Sequence, residues 1–184
     1  MTLIKTKHNR RSFLKTSAAA GGGLIIGFNW LAGCTPATEH VLEIPEEWYN
    51  MNAFLKIGEN GVVTIYSPNP EIGQNVKTSM PMIVAEELDV SWKYVIVEQA
   101  PLDTQKYVRQ LAGGSQSIRQ GWQSLRMAGA TGRRMLLEAA AKEWGVPVDE
   151  LKTNEGEISH ASGKSAGYGQ FVNAAVGIEI PEEI

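Results

Sequence analysis

The longest periodic run in the chain, residues 117–144, is the feature that any fold must accommodate first. Ile118, Trp122, Leu125, Gly129, Gly132, Leu136, Ala140 and Trp144 recur at steps of three and four, lining one stripe of a single long helix. Glycine at 129 and 132 lowers helix propensity by roughly 1 kcal/mol each against alanine. On an inward stripe, such glycines mark the close approach of another backbone. Gly145 and Pro147 end the helix, the first by accepting a left-handed cap, the second by being unable to continue the ladder.

Shorter elements surround this helix. "AFLKIGENGVVTIYSP" is two apolar stretches around Asn60-Gly61, predicting strands over 53–58 and 61–67 joined by a hairpin whose turn residues both accept positive φ. Val76, Met80, Ile83, Val84 and Leu88 recur at helical spacing, so a helix is predicted over 76–88. Pro81 belongs in its first turns, or else kinks it. "WKYVIVEQAP" is a third strand, β-branched at its centre, and 101–113 reads as a loop closed by Gly113-Gly114-Ser115. Toward the end, "LKTNEGEISH" is a small hairpin, "YGQFVNAAVG" a short helix, and "IEIPEEI" extended. The order predicts an α+β domain, with the long Gly-containing helix and a second helix packed on a small, mostly antiparallel sheet.

The first 33 residues have a different grammar. Arg10 and Arg11 precede Ser12-Phe13-Leu14-Lys15, and an apolar stretch without any acid follows. A basic start, a short apolar core and small residues at its end describe an export signal, and the arginine pair resembles a twin-arginine leader. The core is only about 16 residues, short of the ~20 that a spanning helix needs. Leu31-Ala32-Gly33-Cys34 resembles a bacterial lipobox, which makes Cys34, the only cysteine, the lipidated first residue of the mature chain. The expected organisation is a signal over 1–33, a lipidated tether and lead-in over 34–52 with Trp48 and Tyr49 docking on the domain, and the α+β domain over 53–184. The expected location is the periplasmic side of a bacterial membrane.

Of the 17 Lys+Arg residues, five (Lys5, Lys7, Arg10, Arg11, Lys15) lie in the signal, leaving 12 against 20 Asp+Glu. That acidic balance works against nucleic-acid binding, which needs cationic surface. It also leaves no basic patch for anionic lipid heads, so the lipid on Cys34 is the expected anchor. Among catalytic patterns, Gly-x-Ser-x-Gly, Walker and CxxC motifs are missing, and neither His40 nor His160 has a second ligand at metal spacing. Glu86-Glu87 and Glu182-Glu183 read as solvated surface charge. Two Gly-containing loops at helix starts remain: Glu71-Ile72-Gly73-Gln74-Asn75, and Gly113-Gly114-Ser115-Gln116-Ser117-Ile118-Arg119. Each places backbone N–H groups and small polar side chains at a helix N-terminus. That arrangement suits anionic oxygens, with Arg119 able to add a charge-assisted bond. Simple capping by Ser115 or Ser117 is the alternative.

At these loops the chain becomes recognisable. "FLKIGENGVVTIYSPNPEIGQNVKTSMPMIVAEELDVSWKYVIVEQAP", "GGSQSIRQGWQSLRMAGATGRRML" and "AAKEWGVPVDEL" resemble the molybdopterin-binding large subunit of the xanthine dehydrogenase and aldehyde oxidase family, in its isoquinoline 1-oxidoreductase beta-subunit branch. The resemblance runs from about Asn52 onward and includes the twin-arginine leader. It implies that Gly73 and Gln74 of the first loop, and Gly114, Ser115, Gln116 and Ser117 of the second, help cradle molybdopterin cytosine dinucleotide. It implies hydroxylation of an N-heteroaromatic ring or an aldehyde, with oxygen from water and electrons leaving through a 2Fe–2S small subunit. The metal is held by the pterin, so no metal ligand is expected among side chains. Asn75 departs from the family loop, which has a second glycine there. Asn tolerates positive φ, although its side chain crowds a cofactor lying on the backbone. The family's catalytic glutamate lies several hundred residues further on, so no catalytic residue is assigned, and the remaining part of the large subunit is an expected partner. Two other readings stay open: a truncated inactive remnant, and a non-enzymatic surface lipoprotein that binds through the same fold.

Overall fold

A computed structural model describes residues 41–179. The expected signal with Arg10 and Arg11, the lipobox with Cys34, and the last residues of "IEIPEEI" lie outside them. Three strands lead: β1 (Trp48–Asn50), β2 (Leu55–Gly58) and β3 (Val63–Ser67). Helix α1 (Val76–Leu88), strand β4 (Val95–Gln99) and the long helix α2 (Ser117–Trp144) follow. The chain closes with β5 (Leu151–Asn154), β6 (Glu157–His160), β7 (Ser165–Gly167) and a short helix, α3 (Val172–Ala175). No helix among the described residues is long and apolar enough to cross a membrane.

The α+β class holds, with one correction: there are two sheets. One has the order β1-β2-β3-β4 and the other β5-β6-β7. Every pairing is antiparallel except β3 with β4, which run parallel with Val63 opposite Val95 and Ser67 opposite Gln99. A parallel neighbour needs a crossover, and α1 is that crossover. The turn expected at Asn60-Gly61 is also wider than predicted. Gly58 N–H donates to Val62 O and Gly61 N–H to Gly58 O, and only Gly61 has positive φ.

Leu55 and Ile57 of β2, with Val63 and Ile65 of β3, alternate onto the buried face of the first sheet. Against them sit Val76, Met80, Val84 and Leu88 of α1, spaced four apart, with Leu125, Leu136 and Ala140 of α2 completing the layer. Pro81 lies in the second turn of α1, so the bond that residue 81 would make to the Lys77 carbonyl is missing, yet the helix runs through to Leu88.

Gly129 confirms the expected close approach. A Cβ there would strike the Val84 carbonyl oxygen, and would lie 2.8 Å from Glu87 Cβ and 3.0 Å from Leu88 N. Gly132 differs, since its neighbours are the side chains of Leu55 and Leu88. Ile118 and Trp122, expected on the inward stripe, are 36% and 48% exposed instead. The Trp122 ring turns outward toward the Arg126 guanidinium, 5.8 Å away.

The second sheet is tied to α1 through Tyr168, whose buried hydroxyl donates to Leu88 O at 2.7 Å. Gly156 N–H donates to Asp89 O beside it, at the left-handed cap of α1. Burial holds the Tyr168 proton on well above the ordinary tyrosine value. Protonated phenol therefore contributes stability in full below pH about 10, the unfolded value, and that contribution is lost as pH rises further. Tyr168→Phe is expected to cost about 1 kcal/mol at pH 7 in urea titrations and to flatten the alkaline loss of stability.

Candidate functional site

The two Gly-containing loops are the connections that leave the carboxyl ends of the parallel strands β3 and β4. Residues 68–75 lead from β3 into α1, and residues 100–116 lead from β4 into α2. In open sheets, ligands collect outside the carboxyl ends of parallel strands, where connections to helices diverge. The two helices also run in the same sense: Gly121 faces Met80, Gly129 faces Val84 and Leu88, and Gly132 faces Leu88. Both N-termini, and both loops with them, therefore lie at one end of the helix pair.

The first loop is closed on itself. Gly73 (φ 97) and Asn75 (φ 60) turn the chain, and Asn75 adopts the left-handed conformation that a glycine would take. The N–H groups of Lys77, Gly73 and Asn75 all donate to the Glu71 carboxylate, at 3.0, 2.6 and 3.0 Å. The Lys77 amide first, then those of Gly73 and Asn75, hold that carboxyl below the usual glutamate range. Gln74 folds back as well, accepting from Ile72 N–H and donating to Pro70 O. An anionic oxygen thus sits at the α1 N-terminus, as the helix dipole favours, but Glu71 supplies it. Because that carboxyl is depressed, its contribution is present above the ordinary glutamate value of about 4.5 and is lost as pH falls through the depressed one. Glu71→Gln is expected to speed amide exchange at 73–77 at neutral pH and to abolish the acid-induced loosening of that loop; unchanged exchange there contradicts this account.

The second loop is open. Gly114 (φ 64) and Ser115 (φ 52) are left-handed, and α2 begins from Gln116 with no side-chain cap. Neither serine therefore caps the helix, which removes the simple alternative. Ser117 is the first helical residue, and its Oγ accepts from Asn69 Nδ2 at 2.8 Å. Gln116 Nε2 donates to Gly114 O, while its Oε1 is buried without any partner. A buried acceptor left unpaired costs roughly 1–3 kcal/mol and calls for an explanation. Among the described residues no carboxylate reaches this N-terminus as Glu71 reaches the other, and Arg119 is exposed on its first turn. The connection itself is anchored. Tyr107 is buried, donates to Ala53 O at 2.6 Å and meets the Phe54 ring edge-on at 5.3 Å. A cavity of about 140 Å³ lies beneath, lined by Phe54, Asn69, Met80, Tyr107, Ser117 and Gln120.

Of the six cofactor-binding candidates, Ser117 alone lines that cavity; Gly73, Gln74, Gly114, Ser115 and Gln116 are not among its lining residues. Sequence reasoning missed Glu71 as an internal anion and Asn69 as a bridge. His160, the last residue of the central strand β6, is held by Glu150 and Ser162, and no cluster of metal-ligating side chains occurs among the described residues.

An α+β lobe with two glycine loops over the ends of parallel strands, one of them open and carrying an unpaired acceptor, has the layout of a cofactor-binding domain. The chain belongs to the molybdopterin cofactor-binding domain family, whose model matches residues 8–183. It is 37% identical over 138 residues to the beta subunit of isoquinoline 1-oxidoreductase from Brevundimonas diminuta, covering 71% of this chain and 17% of that one. It is 28% identical over 165 residues to the membrane-bound aldehyde dehydrogenase (pyrroloquinoline-quinone) of Gluconacetobacter polyoxogenes, covering 89% of this chain and 21% of that one. Its fold is similar to that of quinoline 2-oxidoreductase from Pseudomonas putida 86, with a TM-score of 0.52 and 22% identity over 65% of this chain and 15% of that one. The chain thus spans about a fifth of the length of the curated relatives it matches.

Proposed function

We propose that the chain is the cofactor-cradling part of a molybdenum hydroxylase large subunit acting on an N-heteroaromatic or aldehyde substrate. The observation that carries this is the open start of α2, where the buried Gln116 Oε1 has no protein partner. That oxygen fits the donor edge of a pterin or cytosine ring, and the free first-turn N–H groups fit a phosphate. Gly114 and Ser115, both left-handed, form the turn that leads into those groups. The first loop fits differently. Its donors are satisfied by Glu71, so Gly73 and Gln74 contribute a shaped wall in place of free N–H groups.

When bound, molybdopterin cytosine dinucleotide supplies the redox chemistry of hydroxylation. This chain's residues bind and orient it. The base that the reaction needs belongs to the remaining part of the large subunit, and electrons leave through a 2Fe–2S partner. The Arg10-Arg11 pair and the Leu31-Ala32-Gly33-Cys34 stretch support a location on the periplasmic side of a membrane.

Intact and native mass spectrometry of the chain taken from its host's membranes tests the reading. The expected species begins at a lipidated Cys34 and carries a second polypeptide and a pterin dinucleotide. A lone chain at its short mass without cofactor would favour the remnant or the plain lipoprotein.

A further inference from the structure

We infer that Asn69 is a positioning residue for the cofactor site, setting the hydroxyl of Ser117 as a hydrogen-bond donor. The inference rests on the proposed cofactor reading and adds a residue that reading does not contain. Asn69 lies between Pro68 and Pro70, and only 3% of it is exposed. Pro70 restricts Asn69 to extended backbone, and Pro68 has its own φ fixed, so the side chain springs from a stiff base. Both hydrogens of its amide are used. Nδ2 donates to Leu111 O at 3.1 Å and to Ser117 Oγ at 2.8 Å. One side chain on the β3 connection thereby grips the β4 connection at Leu111 and the first residue of α2 at Ser117, 42 and 48 residues further on.

The chemistry follows from the direction of the second bond. A hydroxyl has one proton to give and lone pairs to receive with. Because Asn69 is a donor, Ser117 Oγ must be the acceptor in that contact. The Ser117 proton then points elsewhere, and among the described residues no protein acceptor takes it. It is left to an outside acceptor at the start of α2, where an anionic oxygen is also favoured by the helix dipole. Asn69 thus acts through Ser117: it holds the loop in place and fixes which way the hydroxyl points.

The test uses the full chain, with cytidine diphosphate as the probe in calorimetry and amide exchange as a second readout. Asn69→Leu keeps the volume and removes both donors. It is expected to bind the probe about tenfold more weakly, equivalent to about 1.4 kcal/mol, and to exchange faster at 111–119. Ser117→Ala is expected to lose a similar factor, and the double variant no more than Ser117→Ala alone, because one residue acts through the other. A purely structural role predicts additive losses, which would overturn the inference, as would wild-type binding and exchange in Asn69→Leu. Where the leucine variant does not fold, Asn69→Ser, too short to reach either oxygen, predicts the same losses. Should the wild type bind no cytidine diphosphate, the cofactor reading falls and the role of Asn69 toward it falls too. A wild type that binds beside an Asn69→Leu variant that binds equally well removes Asn69 alone.

Discussion

Gly129→Val is expected to lower the thermal unfolding midpoint by about 10 °C, the largest loss of stability from any single helix-surface change in this domain. The first added carbon meets the carbonyl oxygen of Val84 and, at 3.0 Å, the backbone nitrogen of Leu88. Backbone cannot rotate aside as a side chain does, so α1 and α2 must part along their contact. Overpacking of this kind costs typically 1–3 kcal/mol and occasionally more. We expect about 3 kcal/mol, which for a domain of this size is about 3 °C per kcal/mol. The sign separates two accounts. Helix propensity alone favours any residue but proline over glycine here, by roughly 1 kcal/mol for alanine, so Gly129→Ala would stabilise if contact were absent. Gly121→Ala is the matched control, since its obstacle is the terminal methyl of Met80, 2.9 Å away on a flexible side chain. A small gain at 121 beside a loss at 129, measured by calorimetry, is the predicted pair. Stabilisation at both positions would show that the helices are not in contact as described.

The second large effect is on cofactor content. Gln116→Leu removes the buried Oε1 that has no protein partner, together with the weaker tie from Nε2 to Gly114 O. Without a ligand the change relieves an unpaired acceptor and breaks one exposed hydrogen bond, so the unfolding midpoint should move little. With a ligand it removes a partner, and the ligand group that faced it is left unpaired at a cost of about 1–3 kcal/mol, or about tenfold to a hundredfold in affinity. Cofactor recovered per copy from the purified native complex should therefore collapse while stability holds. A variant that keeps its cofactor would show that Gln116 does not face it.

Much of the fold was legible because its signals were local. The stripe Val76, Met80, Val84, Leu88 announced α1, and Gly145 with Pro147 announced the end of α2. Gly129 signalled a close approach because a glycine on an apolar stripe has few other uses. The pairing of β3 with β4 was not legible, since alternation along a strand states which face is buried and not which strand lies beside it. β1 and β7 are three residues each and carry too little pattern to be seen. Ile118 and Trp122 fit the stripe's spacing, but at this end of α2 the face turned to Met80 is carried by Gly121 and the buried Leu125, and the two larger side chains lie beside it. At the site, both loops were visible as glycine turns. Their difference was not. Glu71 fills one loop through a six-residue reach, and Asn69 braces the other across 48 residues, contacts that no sequence spacing encodes.

The central claim is that the open start of α2 holds a pterin dinucleotide. The most direct measurement is the molybdenum and cytidine monophosphate released from the native complex purified through this chain, wild type beside Gln116→Leu. The account predicts stoichiometric metal and nucleotide in the wild type and little of either in the variant. A wild-type complex free of both would contradict it.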